Sequence, residues 1–288
     1  MKRIKGAALA ACSNGQNPEK QEEITALCRV LSEMGIRVTV AEHLYAGDGV
    51  FSGTAKERAD DLMKFYLDDT IDAIFDVSGG DIANEILGLL DYELISKSDK
   101  MFWGYSDLST IINAIYTKTG KVSSLYQIKN LIWADGERQR KRFGEFLARE
   151  GAVEETSLYA PCYDFVQGNH MEGVVIGGNV RCFLKLAGTP YFPEVSGKIL
   201  LLEALGGGTA QITTYFSQLE QMGVFEKTAG IILGTFTNLE QAENKKVVFE
   251  LLKPHIKNTL PVAKTQEIGH ESDAKAIRIG AYHMIKVI

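Results

Sequence analysis

Short runs with strand character alternate with segments of helical spacing through the first half of the chain. No other feature constrains the fold as strongly. Residues 3–11 read as a buried strand. Residues 19–34 place Ile24, Leu27, Cys28, Leu31 and Met34 on one helical face, and that helix stops before Gly35. A strand over 36–41, a helix over 54–68, a strand over 71–77 and a helix over 82–90 follow. A further apolar run ends at Gly104, after which Leu108, Ile111, Ile112 and Ile115 recur at helical spacing. Such alternation implies a parallel sheet with helices packed on it. Ligands of parallel sheets bind at the carboxyl ends of the strands. Three loops fall on that edge: Cys12-Ser13-Asn14-Gly15, Ser78-Gly79-Gly80-Asp81 and Gly104-Tyr105-Ser106-Asp107.

A basic helix over 137–149 closes this half and reads as a solvated face, and residues 151–171 read as a connector. The second unit shows strands near 173–176, 198–203, 228–233 and 276–280, with helices near 179–187, 209–222 and 240–253. The expected division is therefore 1–150, a connector over 151–171, and 172–288. The 288 residues leave room for two domains of ordinary size. A net charge of −6 argues against a nucleic-acid partner. No apolar run is long enough to span a bilayer, and the start, Met-Lys-Arg-Ile-Lys-Gly-Ala-Ala-Leu-Ala-Ala, reads as mature sequence rather than a signal peptide. Cys12, Cys28, Cys162 and Cys182 lack metal or redox spacing, which fits free buried thiols in a reducing cytosol.

Ser106 sits where a buried strand turns into a helix. That is the setting of a nucleophile elbow, with Gly104 letting the backbone crowd and the hydroxyl held above the sheet. The helix start places free amides and positive dipole beside the serine. The backbone N–H of Asp107 is then placed to donate to an oxyanion. A serine at this position also serves as a helix N-cap, and Leu108 stands where G-x-S-x-G has its second glycine. The motif therefore needs partners. A serine nucleophile requires a base, and the base an orienting acid. The five histidines are His43, His170, His255, His270 and His283, and His270 lies in a loop after a short strand. Glu203 closes the buried run Lys198-Ile199-Leu200-Leu201-Leu202, at the edge where sites form. Gly79 and Gly80 allow close approach of a backbone amide to a ligand, as a tight turn also requires.

In order along the chain stand Ser78-Gly79-Gly80 with Leu90-Asp91-Tyr92, Gly104-Tyr105-Ser106-Asp107, Gly177-Gly178-Asn179 with Gly188-Thr189-Pro190-Tyr191-Phe192-Pro193, Gly197-Lys198-Ile199-Leu200-Leu201-Leu202-Glu203, and Gly269-His270. With these blocks the chain resembles the LD-carboxypeptidase family of serine peptidases, which includes the microcin C self-immunity peptidases. The resemblance implies an α/β fold: an N-terminal parallel-sheet α/β sandwich plus a smaller C-terminal α/β domain, with the active site between them. It implies Ser106 as nucleophile, His270 as general base and acid, and Glu203 as orienting acid. The amides of Asp107 and of Gly79 or Gly80 would form the oxyanion hole. The reading needs no metal or cofactor and is of a cytoplasmic protein without a membrane partner; the resemblance also suggests a homodimer.

Some segments depart from the family pattern. Ser78 replaces an arginine, and Ser124-Leu125-Tyr126-Gln127-Ile128 stands where a His-Gly-Pro or Tyr-Gly-Pro loop is usual. Ala204–Thr209 follows the glutamate in place of Asp and later Glu and Arg, and Asp273-Ala274-Lys275 stands where an Asn is usual. The Ser78 and Leu90-Asp91-Tyr92 variants look closer to the microcin-immunity branch. The expected substrate is a small peptide cut near its carboxyl end, such as the L,D-bond of murein tetrapeptide in peptidoglycan recycling. The alternatives are hydrolysis of an aminoacyl-nucleotide amide, as in microcin immunity, and a catalytically silent peptide-binding protein.

Overall fold

A computed structural model describes residues 4–149 and 156–287. The expected boundary between residues 150 and 151 lies outside the described residues. Among the described residues, twelve strands form two six-stranded sheets. The first holds β1 (Gly6–Ala10), β2 (Arg37–Val40), β3 (Ala73–Asp76), β4 (Met101–Gly104) and β5 (Ser123–Leu125), with β11 (Ile277–Ile279) arriving from the far end of the chain. Its order is β11-β5-β4-β3-β1-β2, parallel except for β11. The second sheet holds β6 (Asp164–Gln167), β7 (His170–Asn179), β8 (Ile199–Ala204), β9 (Gly230–Phe236), β10 (Val262–Lys264) and β12 (Tyr282–Lys286). Its order is β12-β7-β8-β9-β10-β6, with antiparallel strands at both edges.

The inner strands are buried on both faces, which is why they read as continuous apolar runs rather than alternating ones. Beneath β4, Trp103 packs edge-on against Phe75, Phe143, Phe146, Tyr126 and Tyr159, at 5.3–6.1 Å between ring centroids. That cluster seats β4, the strand that leads into the Ser106 turn.

Several elements differ from the sequence reading. The strand expected at 276–280 completes the first sheet, not the second, because it pairs with β5. Residues 164–167, within the expected connector, form β6, and His170 opens β7. Residues 83–89 form a 3-10 helix, since Ala83, Ile86 and Leu87 fit either helical period over so short a stretch. The helix expected over 240–253 is two, Thr237–Ala242 and Val247–Leu252, interrupted where the Asn244 side chain accepts from the Lys246 N–H. The helix Gly136–Ala148 is less solvated than its charge suggests, because Arg140 and Arg142 donate to the carbonyls of Leu131 and Asp273. All four cysteines are unpaired, but Cys162 is exposed and Cys28 only half-buried.

The two sheets meet along the helix Ser109–Thr119. The Asn113 amide donates to the Gly177 carbonyl at 2.8 Å and accepts from the Gly177 N–H at 2.9 Å. Ser109 Oγ accepts from the Asn179 N–H, and Thr110 Oγ1 donates to the Cys182 carbonyl. These groups are buried, and losing a partner leaves each unsatisfied at about 1–3 kcal/mol. Residues 1–150 alone would lose β11 and every one of these partners. That fragment is expected to show no cooperative urea transition, whereas the whole chain shows one.

Candidate active site

Gly104 ends β4, and a Cβ there would meet the Leu108 side chain at 2.6 Å. Leu108 thus takes the place of the missing second glycine by packing onto the first. Tyr105 is extended, and Ser106 then adopts φ +55°, the only non-glycine left-handed residue among those described. Holding a serine there costs about 1–3 kcal/mol. Ser106 does not act as an N-cap: it lies inside the 3-10 turn Ser106–Leu108, and neither Tyr105 nor Leu108, which precede that turn and the helix Ser109–Thr119, makes a side-chain cap.

The three loops expected at the sheet edge come together because β1, β3 and β4 are neighbours. The Asn14 N–H donates to the Gly79 carbonyl at 3.1 Å, and the Ser13 N–H to Ser78 Oγ at 3.0 Å. Ser78, the residue standing in place of arginine, is buried and donates to Asp76. Gly79 lies against the serine: a Cβ on it would sit 3.9 Å from Ser106 Cβ. Gly80 has φ +121°, and Asn14 fills the place its Cβ would take, at 2.2 Å.

The Asp107 side chain has a role in the structure that the sequence reading did not assign. Its fully buried carboxylate accepts from Ser13 Oγ at 2.6 Å, from the Ala83 N–H at 2.9 Å and from Lys185 Nζ at 2.5 Å. One side chain therefore ties the elbow to two loops of the first unit and to the second. A charge so deeply buried requires that set of partners. The sequence offered no signal for it beyond an acid after the serine.

Glu203 is fully buried near the end of β8. The β8–β9 register slips there: Leu202 pairs Leu233 and Ala204 pairs Phe236, leaving an extra residue on β9. Such a bulge re-aims side chains. Across it, the Thr235 N–H donates to the Ile268 carbonyl at 2.8 Å, docking the loop that carries His270. His270 Nδ1 then lies 2.8 Å from Glu203 Oε2, and the side chain is 12 % exposed. The contact is at ion-pair distance without the alignment of a hydrogen bond. Burial alone would push the His270 pKa down. The Glu203 charge and contact, with Glu271 adding, outweigh burial and leave it raised. Tyr105, missed in the sequence reading, packs its ring edge-on against His270 at 4.9 Å. Burial and then Glu203 push its hydroxyl pKa well up, so it stays protonated.

Ser106, His270, Gly79, Gly80 and Tyr105 line one cavity of about 340 Å³. Among the described residues no hydrogen bond joins Ser106 to His270, whose Nε2 has no partner. Two of the departing segments also face this space, through Gln127 and Leu205. The other histidines have other surroundings. His43 meets Asp61 at 3.0 Å, His255 meets Glu220 at 2.7 Å, and His170 lies 4.0 Å from Glu172. A carboxylate contact is thus common among them, and sharing a cavity with Ser106 is what sets His270 apart. Glu42, His43 and Asp61 are grouped closely enough to hold a metal ion, but their cluster is not part of this cavity. Among the described residues no helix is long and apolar enough to cross a membrane.

Residues 7–127 match the LD-carboxypeptidase N-terminal domain, and residues 172–285 the LD-carboxypeptidase C-terminal domain. A Bacillus subtilis protein named "Probable murein peptide carboxypeptidase" is 29% identical over 282 residues, 96% of this chain and 88% of its own. The Escherichia coli microcin C7 self-immunity protein MccF is 30% identical over 231 residues, 70% of this chain and 67% of its own. A solved structure of MccF in complex with aspartyl sulfamoyl adenosine superposes with a TM-score of 0.88 at 23% identity, over 99% of this chain and 94% of that one. That structure shares the two-sheet α/β fold seen here. The chain belongs to the LD-carboxypeptidase family.

Proposed function

We propose that this protein is a serine carboxypeptidase that hydrolyses the L,D-amide bond before the terminal residue of a murein peptide. One observation carries the reading: a serine held in a left-handed strand-to-helix turn shares a cavity with a histidine seated on a buried glutamate. Ser106 Oγ attacks the scissile carbonyl while its proton passes to His270 Nε2. Glu203 holds Nδ1 protonated and stabilises the imidazolium. The tetrahedral oxyanion is met by the backbone N–H of Asp107 and by that of Gly79 or Gly80. Collapse of that intermediate passes the proton from Nε2 to the leaving amine and leaves an acyl-Ser106, which water attacks with His270 again as base. Side chains and backbone amides suffice for every step.

The substrate is supported by the Bacillus subtilis relative, whose likeness runs through nearly the whole chain. Cleavage of an aminoacyl-nucleotide amide is the second reading, favoured by the likeness to MccF in sequence and fold. Incubating the purified protein with murein tetrapeptide and with aminoacyl-nucleotide amides separates them. Release of terminal D-alanine supports the first reading, and release of the amino acid from the nucleotide alone overturns it. We also propose a cytoplasmic location, and the homodimer that the family resemblance suggests. Sedimentation at micromolar concentration showing only monomer would remove the homodimer.

A further inference from the structure

Lys129 stands in the wall of the Ser106 cavity, directly after the departing segment Ser124–Ile128. Its Nζ donates to the neutral Gln16 Oε1 at 2.8 Å and lies 5.4 Å from the centre of the Trp133 ring. No carboxylate of the described residues pairs with it, although most other lysines at comparable burial have one. Lys185 meets Asp107, Lys264 meets Glu240 and Lys275 meets Glu267. The Gln127 side chain accepts from the Lys129 N–H at 3.2 Å, which fixes the start of the turn that carries it. Burial lowers the Lys129 pKa. The charges of Glu23 and Asp76 reach this ammonium through space, but neither carboxylate pairs with it, so its direct contacts are a neutral acceptor and an aromatic face. The only carboxylate exposed on this wall, Glu271, neighbours His270 and makes no ion pair with Lys129. In a cavity of about 340 Å³, a group one residue beyond the scissile amide remains within the same walls.

Resting on the hydrolase reading above, we propose that Lys129 is the specificity-determining residue that recognises the free carboxylate of the peptide's terminal residue. Gln16 and Trp133 hold its ammonium in place for that contact. A phosphoryl oxygen of a nucleotide conjugate offers similar chemistry, so the test includes both.

The measurement is kcat/KM for three substrates: the tetrapeptide free acid, its C-terminal amide, and an aminoacyl-nucleotide amide. Each is assayed with wild type, Lys129→Met and Lys129→Gln. Wild type is expected to prefer the free acid over the amide by about 10²-fold, the size of a lost charge-assisted contact. Both variants should bring that ratio near 1, chiefly through KM, and melt no lower than wild type, since a half-buried charge without an ion pair has been removed. An unchanged ratio, an equal loss on all three substrates, or a loss confined to the nucleotide conjugate would overturn the assignment. The serine-hydrolase reading fails separately, if wild type turns over none of the three substrates or if Ser106→Ala keeps wild-type turnover.

Discussion

Ser106→Ala and His270→Ala should each lower kcat by about 10⁴-fold or more without unfolding the protein, Ser106→Ala leaving the thermal transition close to that of wild type. The hydroxyl and the ring are expected to act as one unit, because neither does the chemistry without the other. The double variant should therefore lose little beyond either single one. Near-additive losses would mean that the two side chains do not share a step, and circular dichroism would show whether either substitution disturbed the fold. Some loss of packing is expected at His270, whose ring lies against Tyr105. At Ser106 the backbone already bears the left-handed strain, and alanine inherits it unchanged.

Glu203→Gln should cost roughly 10² to 10⁴ in kcat, by placing a donor where His270 Nδ1 requires an acceptor. It should also move the pH profile. Burial pushes the His270 pKa down and Glu203 more than offsets this, so the acid limb of kcat/KM should lie above the ordinary histidine value of about 6.5. Without the glutamate charge, burial prevails over what Glu271 adds, and the limb should move to lower pH. Stability follows the same linkage. Because the folded pKa is raised, the His270–Glu203 pair stabilises fully below the unfolded value, and this contribution is lost as pH rises through the folded value. Denaturation midpoints of wild type and Glu203→Gln should thus converge on the alkaline side. An acid limb that stays in place in Glu203→Gln would contradict the orienting role.

The legible part of this molecule was the part written in local periodicity. The alternation of apolar runs and helical faces gave the first parallel sheet and put three loops at its carboxyl edge, where they meet. The apolar run ending at Glu203 and the Gly-Tyr-Ser-Asp turn were visible for the same reason. Pairing between distant segments was not visible. Ile277-Arg278-Ile279 has the same pattern whichever sheet it joins, and only its partner Ser123–Leu125 decides. Asp164–Gln167 reads as connector because an edge strand needs no continuous apolar run. The choice of His270 among five histidines came from the family resemblance. Its contact with Glu203 depends on a bulge and a docked loop that no spacing reveals. The Asp107 carboxylate, Tyr105 and Lys129 were missed because what distinguishes them is their surroundings, buried or facing the cavity, and not their place in the chain.

The most direct test is covalent capture of the nucleophile. A serine-directed phosphonate bearing a peptide-like leaving group, followed by intact-mass and peptide mass spectrometry, should give one adduct per chain, located on Ser106. Labelling should be slowed strongly in His270→Ala and absent in Ser106→Ala. No adduct in the wild type, or an adduct on another residue while Ser106→Ala still hydrolyses peptide, would contradict the Ser106–His270–Glu203 mechanism.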